Sequence, residues 1–212
     1  MGLANRITVA RGALAIVLWS VLHVIDLRGR PEDVLWWVAF ALFVVTAATD
    51  SLDGYIARKR GEVSVFGRIA DPFVDKLLVL GSMVFLIGLP GMAWVVPPWT
   101  VAVVLARELL VTALRGAVEG SGRNFQAGPW GKAKMVAQCI AIGAALLHGA
   151  GVAFVRCPLD AFSFTSAVVP APPTWCLARL ISVVAALLTL ASGVEYTVRA
   201  LRTLRAPPAG RA

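Results

Sequence analysis

Hydrophobic residues along this 212-residue chain gather into long apolar segments separated by short polar connections. A helix needs about 20 residues to cross a bilayer core about 30 Å thick, and the segments are close to that length. The alternation typical of barrel strands is missing, and a backbone in lipid must satisfy its own hydrogen bonds. The pattern predicts membrane-spanning helices over six segments: 9–27, 34–52, 70–90, 93–115, 133–155 and 177–198.

The composition argues against a soluble domain. Apolar residues make up 58% of the chain and charged residues 15%, and the mean hydropathy is +0.79, outside the range of ordinary globular domains. The fold class that we expect is an all-α integral membrane protein, a six-transmembrane-helix bundle. We expect one domain over residues 1–206 and a short flexible tail over 207–212.

Lysine and arginine residues concentrate on one predicted side of the membrane. They lie at the amino end, in the second and fourth connections and in the carboxyl-terminal tail, which the positive-inside rule places in the cytoplasm together with both termini. The net charge of +8 therefore faces anionic lipid head groups or a phosphorylated substrate, not a nucleic acid. Cys157 and Cys176 fall in an outer connection, where the sequence leaves open whether they form a disulfide.

The polar stretch between the second and third segments carries four carboxylates in an apolar setting. Asp50 and Asp53 end one predicted helix and Asp71 and Asp75 begin the next, at steps that place each pair on one helical face. Aspartates also mark ordinary helix ends, but four at this spacing would repel one another unless a cation were bound. Oxygen ligands without nearby histidine or cysteine favour Mg²⁺ or Mn²⁺.

Small and basic residues complete the pattern around these carboxylates. Gly54 and Ala57 let a ligand approach the helix backbone, and Arg58 offers a planar fork for phosphate. The whole motif fixes eight identities over 26 positions: Asp50-x₂-Asp53-Gly54-x₂-Ala57-Arg58-x₈-Gly67-x₃-Asp71-x₃-Asp75.

This motif resembles that of the CDP-alcohol phosphatidyltransferases. The resemblance implies a six-helix, usually homodimeric membrane enzyme that uses an alcohol and two divalent cations, Mg²⁺ or Mn²⁺, to displace CMP from a CDP-linked lipid. It implies that Asp75 is the catalytic base. It also implies that the metal ligands are Asp50, Asp53, Asp71 and Asp75, and that the CDP contacts are Asp50, Gly54, Ala57, Arg58 and Gly67.

A second set of charged residues indicates the acceptor alcohol. Arg107, Arg115, Lys132 and Lys134 would suit the phosphate dianion of glycerol 3-phosphate. Arg107 and Glu108 lie inside a predicted span, where ionisable groups are costly and usually functional, although a structural pair is the alternative for Glu108. The two lysines can also be ordinary cytosolic flanking residues.

Further segments are similar to the phosphatidylglycerophosphate synthase branch of the family. These are "NRITVAR" at the amino end, "ARELLVTALRG", "GKAKMVAQ" and "TLASGVEY". Ala4 and Met135 depart from that branch, in which a proline and a threonine are usual. The resemblance thus implies transfer of a phosphatidyl group from CDP-diacylglycerol to glycerol 3-phosphate in the cell membrane, at a site facing the cytosol.

Two other functions stay open at this point. A sister enzyme would use another acceptor, such as phosphatidylglycerol for cardiolipin synthesis or an inositol phosphate. A divalent-cation transporter belongs to another class, because carboxylates in a membrane bundle also suit ion passage. The clustering of the carboxylates at one face argues against a transporter.

Overall fold

A computed structural model describes residues 3–28, 34–60, 65–121, 129–152 and 175–205. Only the helical backbone is described for residues 3, 4, 6, 50–60, 65–69, 129, 175 and 176. Helices dominate these ranges, and no strand occurs within them. The elements are α1 (Leu3–Arg28), α2 (Val34–Arg60), α3 (Val65–Lys76), a π-helical turn (Leu77–Gly81), α4 (Ser82–Gly88), α5 (Met92–Val95), α6 (Pro98–Gly120), α7 (Pro129–Gly149) and α8 (Trp175–Arg205).

The long helices pack side by side as a bundle. α8 lies between α6 and α7, α2 contacts both α1 and α7, and α1 also packs against α3. The core contains fully buried leucines such as Leu18, Leu22 and Leu146. Two helix crossings are close because a glycine faces an indole: Gly81 lies against Trp19, and Gly149 lies against Trp36.

Large apolar side chains also cover the outside of the bundle. Exposed examples occur on each long helix, such as Ile16 on α1, Val45 on α2, Leu109 on α6, Ile140 on α7 and Leu187 on α8. Such a surface is suited to lipid and not to water. By length and composition, Ile7–Arg28 and Leu177–Arg205 are each able to cross a membrane, and Val34–Thr49 is a shorter apolar stretch.

The helix ends refine the predicted segments. α2 continues past Asp50 to Arg60, as the spacing of its polar residues predicts. The third segment is helical from Val65 to Gly88, with right-handed helical backbone on both sides of the π-helical turn.

The helices of the fourth and fifth segments have other bounds than predicted. Proline and glycine residues end or begin these helices within sequence that is still apolar, so hydropathy does not reveal the bounds. Pro97 is extended, so α6 begins at Pro98, and residues 93–95 belong to the separate α5. Gly91 before α5 and Gly151 after α7 both have φ of 76°, a left-handed conformation that favours glycine. α7 accordingly ends at Gly149 and not near residue 155.

Candidate active site

One cavity of about 980 Å³ contains all the predicted site residues whose side chains the structure describes. It is bordered by α3, the π-helical turn, α6, α7 and α8. We call Asp71 and Asp75 the acidic wall of the cavity. We call the cations on α6 and α7 the basic wall: Arg107, Arg115, Lys132 and Lys134.

The acidic wall is built by α3 and held by α1. Asp71 and Asp75 lie about one helical turn apart, so both carboxylates reach the same cavity. Thr8 Oγ1 donates a hydrogen bond of 2.5 Å to Asp71 Oδ1, and Arg11 Nη2 forms an ion pair with Asp75 Oδ1. Thr8 and Arg11 are both buried, at a three-residue step on one face of α1.

The donors of the acidic wall fit a hard divalent cation. Both side chains offer carboxylate oxygens, which are the ligands that Mg²⁺ and Mn²⁺ prefer. Among the side chains that the structure describes, no group of three or more His, Cys, Asp or Glu residues forms. The other two predicted ligands, Asp50 and Asp53, lie on α2 outside the described side chains.

The basic wall contains a buried charge network. Glu108 Oε1 accepts a bond of 3.1 Å from Arg107 Nη1 and a second bond from Lys134 Nζ. The side chains of Arg107, Glu108 and Lys134 are only 7%, 9% and 11% exposed. Buried charges are tolerated when paired, and Glu108 balances part of the positive charge. The buried Arg107 Nε has no hydrogen-bond partner among the described residues.

The remaining cations lie near helix ends, Arg115 toward the carboxyl end of α6 and Lys132 near the amino end of α7. Arg115 Nε donates a hydrogen bond of 3.3 Å to the hydroxyl of Tyr196 on α8. Lys132 is exposed near the start of α7 and lines the cavity. A phosphate in this cavity would meet cations from two helices.

Several lining residues were not among the predicted site residues. Lys76 follows the last motif aspartate and donates to Thr112 Oγ1, which in turn donates to the Glu108 carbonyl oxygen at 2.6 Å. Gln138, Glu195 and Tyr196 also line the cavity. The sequence did offer a signal for these residues. They are polar residues within apolar helices, where a polar side chain rarely occurs without a partner or a function.

Some predicted residues lie outside the described side chains. The α2 backbone carries Asp50, Asp53, Gly54, Ala57 and Arg58, and the α3 backbone carries Gly67. Their roles stay predictions. Whether Cys157 and Cys176 form a disulfide stays open, because Cys157 lies outside the described residues and only the helical backbone of Cys176, in α8, is described.

Comparison with known proteins agrees with the chemistry of the two walls. The sequence model of the family described as CDP-alcohol phosphatidyltransferase matches residues 1–191. The chain belongs to the CDP-alcohol phosphatidyltransferase family. It is therefore an enzyme of the transferase class, which separates it from the cation transporters considered above.

Relatives in this family are similar over most of the chain. A Bacillus subtilis (strain 168) protein is 34% identical over 200 residues, which is 92% of this chain and 92% of the relative. A Cereibacter sphaeroides protein is 31% identical over 188 residues, covering 80% and 84%. A Pseudomonas fluorescens protein is 35% identical over 145 residues, covering 67% and 70%. All three are named CDP-diacylglycerol–glycerol-3-phosphate 3-phosphatidyltransferase.

Proposed function

We propose that this chain transfers the phosphatidyl group of CDP-diacylglycerol to glycerol 3-phosphate, giving phosphatidylglycerophosphate and CMP. One observation carries the proposal: a single cavity has two aspartates on one wall and a cluster of cations on another. The aspartates suit the reacting centre. The cations suit an acceptor that brings its own phosphate. The names of the similar proteins support the same choice of substrates.

The reaction needs one bond formed and one broken. A hydroxyl oxygen of glycerol 3-phosphate attacks the phosphorus that carries the diacylglycerol. The bond from this phosphorus to the oxygen of the CMP phosphate breaks, and CMP leaves with the electron pair. The attacking hydroxyl passes its proton to the carboxylate of Asp75, which Arg11 holds at the cavity wall.

Binding and orientation fall to the rest of the cavity. Two divalent cations held by Asp50, Asp53, Asp71 and Asp75 would neutralise charge on the pyrophosphate and on the leaving oxygen. Arg107 and Arg115, with the two lysines of α7, bind the acceptor phosphate. Gly54, Ala57, Arg58 and Gly67 contact the CDP moiety. Thr8 fixes the carboxylate of Asp71 by its hydrogen bond.

The arrangement in the cell belongs to the same proposal. Residues 1–206 form one domain with six membrane crossings in the cell membrane, both termini lie in the cytoplasm, and the cavity opens to the cytosol. The clustering of lysine and arginine on one side supports this orientation. We also propose that the enzyme is a homodimer, as the family resemblance implies.

An acceptor panel tests the proposed function. Purified protein in mixed micelles receives CDP-diacylglycerol, Mg²⁺ and one alcohol at a time, and both CMP and the lipid product are measured. The panel contains glycerol 3-phosphate, glycerol, an inositol phosphate and phosphatidylglycerol. We expect turnover with glycerol 3-phosphate to exceed turnover with each other acceptor by at least about tenfold. Faster turnover of an inositol phosphate or of phosphatidylglycerol would assign the chain to a sister activity instead.

A further inference from the structure

The motif "TLASGVEY" on α8 lies directly behind the basic wall. Ser192, Glu195 and Tyr196 line the cavity, and Gly193 packs against Arg107. None of these residues has a part in the proposed bond-making step. Their contacts with the two arginines of α6 indicate what they do.

Gly193 leaves room for the side chain of Arg107. A Cβ atom placed on Gly193 would lie 2.8 Å from Arg107 Cγ, 3.8 Å from its Cβ and 3.9 Å from its Cδ. The shortest of these separations is one that real Cβ atoms essentially never show, and Cγ is near the root of the side chain. A methyl group at position 193 would therefore displace the whole guanidinium and not only its tip.

The helical setting of Gly193 strengthens this reading. Glycine is among the least favourable residues in a helix interior, and residue 193 lies well inside α8. Its φ is not in the left-handed region, so backbone conformation does not require glycine here. The close approach of Arg107 is the reason that the structure offers for a glycine at this position.

Tyr196 makes the corresponding contact with the other arginine. Its hydroxyl accepts the hydrogen bond from Arg115 Nε, and its side chain is buried. Gly193 and Tyr196 are three residues apart, on the same side of α8. One face of α8 thus contacts both arginines of the basic wall. Gly193 packs against Arg107, and Tyr196 accepts a hydrogen bond from Arg115.

We propose that Gly193 and Tyr196 are positioning residues that set the affinity for the acceptor phosphate by fixing where Arg107 and Arg115 point. Neither residue needs to touch the acceptor. The inference rests on the proposed function, in which these arginines bind the phosphate of glycerol 3-phosphate.

The first test compares two glycine substitutions. Gly193→Ala should raise the KM for glycerol 3-phosphate about tenfold, while the KM for CDP-diacylglycerol changes less than about twofold. Gly116→Ala is the matched control, because Gly116 is on α6 and a Cβ there meets nothing within 4 Å. An acceptor KM for Gly193→Ala equal to that of Gly116→Ala would overturn the role of Gly193.

A double-mutant cycle tests whether Gly193 acts through Arg107. Arg107→Ala removes the Cγ atom that the new methyl group would clash with and leaves only Cβ at 3.8 Å, an ordinary contact, so Gly193→Ala should add no further rise in acceptor KM in that background. An equal rise in both backgrounds would show that Gly193 acts elsewhere. If Gly193→Ala alone fails to fold, recovery of folded protein in the double variant supports the contact, and failure of both contradicts it.

Tyr196→Phe tests the hydrogen bond without changing the packing of the ring. We expect the acceptor KM to rise about threefold in the wild type and not at all in an Arg115→Ala background. No change in the wild-type background would overturn the role of Tyr196.

The arginine variants separate failure of this inference from failure of the proposed function. If Arg107→Ala and Arg115→Ala leave the KM for glycerol 3-phosphate unchanged, the basic wall does not bind an acceptor phosphate, and both proposals fail. If those variants raise it while Gly193→Ala and Tyr196→Phe match the Gly116→Ala control, only the positioning role fails.

Discussion

The two walls of the cavity neutralise their charges in different ways. Asp75 remains 28% exposed at the cavity and has an ion pair with Arg11 on another helix. Glu108 is only 9% exposed and accepts bonds from two cations at one oxygen. The acidic wall keeps carboxylate surface at the cavity, which suits ligation and proton transfer. Arg107 and Lys134 of the basic wall form a more deeply buried network with Glu108, which suits a fixed receptor for an anion.

Because their carboxylates differ in burial, the two walls should differ in how a substitution changes activity and stability. Loss of a carboxylate on the acidic wall should stop chemistry at a smaller cost in stability, because these carboxylates are partly exposed and a single cation, Arg11, loses its counter-charge when Asp75 is replaced. Loss of Glu108 on the basic wall should destabilise the fold, because two buried cations lose their counter-charge.

The largest effect is expected on the acidic wall. Asp71→Asn and Asp75→Asn should each lower kcat for CMP release by at least about 10²-fold, the range of a lost general base or metal ligand. Asp26→Asn is the control, since Asp26 is exposed on α1 outside the cavity. Excess Mg²⁺ should restore part of the rate of Asp71→Asn but none of that of Asp75→Asn. Full recovery of the Asp75→Asn rate in excess Mg²⁺ would show that Asp75 acts only as a metal ligand and not as the base.

Glu108→Gln tests the burial of the basic wall. Removing one partner from a buried charge network costs about 3 kcal/mol or more of stability, so the thermal midpoint in detergent should fall clearly. The comparison variant is Arg199→Ala, which breaks an exposed pair with Glu195 four residues earlier, 3.2 Å apart. Exposed pairs contribute about 0.5 kcal/mol. Equal midpoints for the two variants would mean that the network does not support the fold.

Two substitutions test the acceptor role of the more accessible cations. Arg115→Ala and Lys132→Ala should each raise the KM for glycerol 3-phosphate about tenfold, because a hydrogen bond to a charged group contributes about 1.5–3 kcal/mol. The KM for CDP-diacylglycerol should change little when each substrate is varied separately. Arg202→Ala, an exposed position on α8, is the control. A rise in the KM for CDP-diacylglycerol alone would show that these cations bind the CDP-lipid and not glycerol 3-phosphate.

The smallest effect is expected from Thr8, which supports the acidic wall by its hydrogen bond to Asp71. Thr8→Val keeps the shape of the side chain but removes the hydrogen bond to Asp71. A contribution of about 1 kcal/mol predicts a fall in kcat of about fivefold. Thr203→Val is the control, because the side-chain hydroxyl of Thr203 donates to its own helix, at the Arg199 carbonyl oxygen 3.0 Å away. A kcat equal to that of the control would show that the bond does not orient Asp71.

The sequence alone predicted the features that depend on neighbours along the chain. Long apolar runs predict helices in lipid, and the helix of α2 does continue past Asp50. The four-residue step from Asp71 to Asp75 places both on one face, and both line the cavity. Helix periodicity is local, so residue spacing is enough to predict it. The family also followed from a motif of closely spaced residues.

Only the tertiary structure decided which distant residues meet. Thr8 bonds to Asp71 across 63 positions, and Arg115 bonds to Tyr196 across 81 positions. Gly193 faces Arg107 because α8 packs along α6, and nothing in the spacing of either helix indicates that contact. The physical reason is that helix packing sets distances between helices, whereas periodicity sets only which face of each helix a residue occupies.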